Sequence, residues 1–126
     1  MKYSEISQTI IQAFYTVYNT LGYGFLEKVY QQALAFELEQ CGLQVVQQAP
    51  IQVFYRGRQV GEYFADLLAQ NCIIIEIKAV EALRDEHNAQ LLNYLKATDI
   101  EVGLLFNFGP KPQVKRKIYD AAYKNK

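Results

Sequence analysis

The sequence predicts an α/β fold, a mixed β-sheet flanked by helices, with elements in the order α-α-β-β-β-α-β. Three observations predict it. Apolar residues recur at helical spacing through the first 42 positions. Strand-like alternation with turn signals takes over from Ile51 to Val80. A further helical stretch then precedes the apolar run "EVGLLFNFG".

In the first element, Ile6, Ile10, Ala13, Phe14, Val17 and Leu21 form one stripe, with Ser4 as candidate cap and Gly22 as stop signal. The second, "GFLEKVYQQALAFELEQCG", aligns Leu26, Val29, Tyr30, Ala33, Leu34, Leu38 and Cys41 and ends at Gly42. Arg56-Gly57-Arg58 divides "IQVFYRGRQVGEYFADLL" into the two strands of a hairpin. A turn near Gln70-Asn71 leads to a third strand, "CIIIEIKAV". Helical spacing returns over about 83–98 through His87, Leu91, Tyr94 and Leu95. After "EVGLLFNFG", a short strand or helix is expected over 113–123.

At 126 residues the chain is the size of one domain, and one shared core over 1–126 is the expectation. With 51% hydrophobic residues, 21% charged residues and three prolines, the composition fits a globular protein better than a disordered or fibrous one. No apolar run approaches the ~18 residues of a membrane span, and the polar start "MKYSEISQ" leads straight into a helical pattern. The expectation is a cytoplasmic protein with no membrane association. Cys41 and Cys72 lack CxxC spacing and read as reduced packing residues, and with His87 the lone histidine an ordinary structural zinc site has no ligands. Any metal here is expected to be oxygen-ligated. Residues 111–126 carry six Lys or Arg against Asp120 alone, a net +5 that leaves −5 on the first 110 positions. That basic end suits either phosphate contact or a solvated terminus.

Charges interrupt the strands at informative places. Glu76 and Lys78, two apart, project from one face of the third strand while Ile75 and Ile77 pack on the other. Antiparallel pairing through the turn near Asn71 would bring Asp66 beside Glu76. Alone, the E-x-K spacing is weak, since roughly one is expected by chance in such a chain, and a cross-strand salt bridge on a solvated face would look the same. On the second helix, Glu27 falls at about 100° from Leu26, inside the apolar stripe. An acid favoured by the positive end of the helix dipole is the competing explanation. Glu37, at about 20°, is a second inward acid and reads as a structural hydrogen-bonding or ion-pairing group.

The run "GFLEKVY" at 24–30 resembles the signature of the GxxExxY proteins, and "AQLLNYLKAT" and "VGLLFNFG" look like that family's downstream blocks. The similarity spans roughly Tyr3 to Tyr119. That family is assigned to the PD-(D/E)XK nuclease superfamily, so the resemblance implies a restriction-endonuclease-like core in α-β-β-β-α-β order. It further implies that Asp66 and Glu76 bind Mg²⁺ or Mn²⁺ with the Ile77 carbonyl as third protein oxygen, and that Lys78 is the catalytic lysine. Glu27 would bind metal or water from the helix side. Gln90 and Tyr94 resemble the Q-xxx-Y element of RecB-like nucleases, with Gln90 holding the lysine or a phosphate oxygen. The second strand, "ADLLAQN", lacks the proline of the superfamily's name, a loss common in the superfamily.

His87 lies three positions before Gln90 but reads as a packing or capping residue near a helix start. The ten tyrosines and seven phenylalanines are mostly accounted for by strand and helix periodicity. Arg56 and Arg58 read as solvated loop-tip residues. Two functions follow. One is a metal-dependent nuclease hydrolysing phosphodiesters in DNA or RNA; the other is a non-catalytic nucleic-acid-binding or protein-interaction module that retains the fold. A homodimer would supply further binding surface under either.

Overall fold

A computed structural model describes residues 3–120. Eight elements follow one another: α1 (Ser4–Leu21), α2 (Glu27–Gln40), β1 (Val45–Tyr55), β2 (Arg58–Ala69), β3 (Ile73–Lys78), α3 (Asp85–Ala97), β4 (Val102–Phe108) and β5 (Pro112–Ile118). The predicted order holds, and the ambiguous last segment is a strand. The part of it beyond residue 120, with Lys124 and Lys126, lies outside the described residues. No helix among the described residues is long and apolar enough to cross a membrane.

The strands form one sheet in the order β1-β2-β3-β4-β5, antiparallel throughout except for the parallel β3–β4 pair. That parallel pair is joined by α3, the crossover that parallel strands require. Period-2 alternation then gives the sheet two buried faces. Leu67, Ile73, Ile75, Ile77, Leu104, Phe106 and Phe108 pack with α1 and α2, while Ile74, Leu105, Ala49 and Ile51 pack with Leu91, Tyr94 and Leu95 of α3. Glu76 and Lys78 follow Ile74 at two-residue steps and so belong to the α3 face.

Several sequence expectations are corrected. Ser4 is the first helical residue rather than a cap; the cap position is Tyr3, without a side-chain cap bond. α2 begins at Glu27, so Leu26 is left outside it and 80% exposed. The buried face of α2 is Tyr30, Gln31, Leu34, Ala35 and Leu38, which turns Val29 and Cys41 to solvent. Cys41 lies one position past the helix end, beyond the core; Cys72 packs against the α1/α2 core as expected. Glu37 sits at the margin of the buried face, between α1 and α2. β1 starts six residues before Ile51, and Pro50 is accommodated in it because β1 is an edge strand.

Candidate active site

The hairpin turn at Gln70-Asn71 determines which residues meet. Both residues are left-handed, with φ of 51° and 53°, and the β2–β3 ladder runs from Ala69↔Ile73 to Leu67↔Ile75. The next pair in that register is Asp66 and Glu76, and there the backbone ladder stops. Side chains replace it. The Asp66 N–H donates to Glu76 Oε2 at 2.8 Å, and the Ile77 N–H donates to Asp66 Oδ2 at 2.7 Å. Two carboxylates thus stand in the gap between diverging strands. An extended residue presents its N–H and C=O to the same neighbour, so the Ile77 carbonyl faces this gap as well.

From the same face, Lys78 Nζ donates to Gln90 Oε1 at 3.3 Å, and Gln90 Nε2 donates to the Tyr94 hydroxyl at 2.9 Å. The one-turn spacing of Gln90 and Tyr94 on α3 makes that bond available. The loop between β3 and α3 is fixed by Asn107, fully buried on β4. Its Oδ1 accepts from Val80 N–H and its Nδ2 donates to Val80 O and Gln113 Oε1, while Leu83 N–H also reaches Gln113 Oε1. Gly109 is required beside it, because a Cβ there would collide with the Val80 carbonyl. His87 caps α3 by accepting the Arg84 N–H at Nδ1, 3.0 Å away.

The third acid comes from α2. Gly24 turns the chain at φ +114°, and the buried Tyr30 hydroxyl donates to Gly22 O at 2.7 Å and accepts Phe25 N–H at 3.1 Å. Its ring stacks 4.3 Å from Phe108. The loop between α1 and α2 is thereby tied to the sheet and Glu27 is set at the first position of the helix. Glu27 was expected on the buried side. It is instead exposed, because the first turn of α2 extends past the core, although it remains close enough to feel Lys78 and Asp66.

The electrostatics follow from crowding acids into this space. Glu76 is 4% exposed, and burial first, then the Asp66 charge, push its carboxyl up to about 8. Burial also raises Asp66, against the opposing effects of the Ile77 amide, Lys78 and Gln48. Glu27 is raised by partial desolvation and by Asp66, with Lys78 pulling it down. Two residues that the sequence reading missed complete the site. Gln48, left-handed at φ 51° and opposite Asp66, bonds that carboxylate and donates to Gln31 Oε1 at 2.8 Å. Gln31 lies one turn after Glu27 and is buried, and that spacing was the available signal.

A family model of the PD-(D/E)XK nuclease superfamily matches residues 4–117. The chain belongs to this superfamily. Among solved structures, the crystal structure of SSO0001 shares the fold of this PD-(D/E)XK member at TM-score 0.58 and 20% identity, over 77% of this chain and 52% of that one. The chain therefore spans about half the length of SSO0001. No curated protein matches it. The five-stranded mixed sheet with helices on both faces is the restriction-endonuclease-like fold.

PD-(D/E)XK nucleases generally use a divalent ion, and the donor set of the described residues is short of a full side-chain cage for one. Among the described residues no group of three His, Cys, Asp or Glu side chains is gathered closely enough to cage a metal. Mg²⁺ seldom uses such a cage; it is held by one or two carboxylates and keeps several waters. Asp66 and Glu76, two desolvated acids whose repulsion a dication would relieve, fit that pattern with the Ile77 carbonyl beside them.

Proposed function

We propose that this chain is a metal-dependent nuclease that hydrolyses phosphodiester bonds in nucleic acid, and that it is a GxxExxY-type member of its superfamily. The observation that supports the reading is the continuous arrangement of Asp66, Glu76, Lys78, Gln90 and Tyr94, carried by β2, β3 and α3 on one face of the sheet. In the proposed site Asp66, Glu76 and the Ile77 carbonyl would hold Mg²⁺ or Mn²⁺. The bound ion supplies a more acidic water and charge neutralisation at the phosphate.

The protein groups have separate tasks. Lys78, steadied by Gln90, places its ammonium where negative charge grows on the phosphate oxygens. Tyr94 fixes the Gln90 amide so that its oxygen remains turned to the lysine. Glu27, at the open side, orients the attacking water. The water oxygen bonds to phosphorus and releases one proton to solvent, the bond from phosphorus to one ester oxygen breaks, and the departing oxygen takes up a proton from solvent and leaves as a hydroxyl. The products are one phosphate end and one hydroxyl end.

The test is cleavage of a panel of DNA and RNA strands and duplexes by purified protein with Mg²⁺ or Mn²⁺. Asp66→Ala and Lys78→Ala are each expected to lower the rate by at least about 10²-fold. Wild-type cleavage no faster than either variant would leave the alternative, a non-catalytic binding module.

A further inference from the structure

A groove of about 870 Å³ separates the far half of the β1–β2 hairpin from α3, and it opens directly beside the candidate active site. Gln90 and Tyr94, which connect to Lys78, form its inner end. Its size is that of a ligand pocket, near the upper end of the usual 300–1,000 Å³ range. Val53, Phe54 and Tyr63 make the hairpin wall, with Phe54 58% and Tyr63 51% exposed. Tyr63 also meets Tyr94 across the groove at a ring distance of 5.6 Å.

We propose that this groove binds unpaired nucleobases, so that the substrate is single-stranded nucleic acid or a single-stranded extension of a duplex. The inference rests on the nuclease reading for the position of the scissile phosphate, and on the groove's own walls for the class of ligand. Phe54 and Tyr63 present aromatic surface, which stacks on the face of any base once that face is uncovered, while the buried Tyr94 backs the Tyr63 ring. In a duplex those faces are covered by neighbouring pairs, and affinity comes mainly from neutralising phosphates. This groove is poorly equipped for that, because Glu86 lies on the same lining as Lys96. Asn93 and Gln90 add amides able to meet base edges. A strand threaded along the groove would stack bases on the hairpin wall and deliver its next phosphate to Lys78.

Binding is measured in EDTA, where no cleavage occurs, by fluorescence anisotropy of a fluorescein-labelled oligonucleotide offered as DNA or RNA single strand and as the matching duplex. Wild type is expected to prefer a single strand. Tyr63→Ala and Phe54→Ala are each expected to weaken single-strand binding about tenfold, while Tyr63→Phe, which keeps the ring, retains it. Thermal melting of each variant checks that the half-exposed positions leave the fold intact. Equal affinity for strand and duplex, or single-strand binding indifferent to both alanine substitutions, would overturn the inference even for a protein that cleaves. Ring-dependent single-strand binding by a protein that cleaves nothing would support the groove and defeat the nuclease reading.

Discussion

Glu76 stands in a strand whose other residues are apolar or at its end, and its proton affinity records the cost. Its carboxyl titrates near 8 in the folded chain against about 4.5 unperturbed, so the folded state holds this proton more tightly than the unfolded one. The corresponding stability is fully present below pH about 4.5 and is lost as the pH rises through about 8. Metal-free protein is therefore expected to unfold at progressively lower urea across that window, with the shift bounding the effect at about 5 kcal/mol. Glu76→Gln cannot ionise, and its urea midpoint should fall less over this window, with Asp66 and Glu27 still titrating, and exceed that of wild type at pH 8.5. A wild-type midpoint that rises over the same window would contradict this assignment of the buried proton.

The segment from Gly24 to Tyr30 shows how a motif arises from geometry. Gly24 supplies a backbone angle other residues avoid, Tyr30 anchors the loop to Phe108, and Glu27 is displayed between them. Tyr30→Phe keeps the stack but leaves the loop's hydrogen bonds unmade. It is expected to cost about 1–3 kcal/mol in chemical denaturation and to slow cleavage through Glu27. On the opposite face, Asn107→Leu removes both hydrogen bonds to Val80 and the one to Gln113, leaving only the Leu83 tie to the loop, and should destabilise by at least about 3 kcal/mol. Much of this was legible beforehand. Asp66 and Glu76 are each five residues from Asn71, so the turn alone paired them, and period-2 spacing put Lys78 beside Glu76. The start of β1 was not, because "VVQQAP" has little alternation and contains a proline that only an edge strand tolerates. Gln48 escaped notice because a left-handed residue inside a strand has no marker in sequence when it is not glycine. The stripe of α2 was misplaced because Leu26 and Val29, apolar by type, flank a helix start that extends beyond the core.

Across the whole molecule, the sheet divides the labour. Its α1/α2 face is almost wholly apolar, with Phe14 stacked on Phe106 and Tyr30 on Phe108, while its α3 face carries the acids, the lysine and the groove. A cation bound by Asp66 and Glu76 would join β2 to β3 where their ladder ends. Saturating Mg²⁺ or Mn²⁺ is accordingly expected to stabilise the fold, by about 2.7 kcal/mol at a hundred times the dissociation constant. EDTA should reverse the gain, and Asp66→Ala should show none. The carboxylates that interrupt the β2–β3 ladder also provide a direct spectroscopic handle. The amide protons of Asp66 and Ile77 each point at a carboxylate oxygen, so their nitrogen and proton resonances should move in step when either acid is titrated or an ion arrives, while the amide of Ile75 on the same strand stays nearly still.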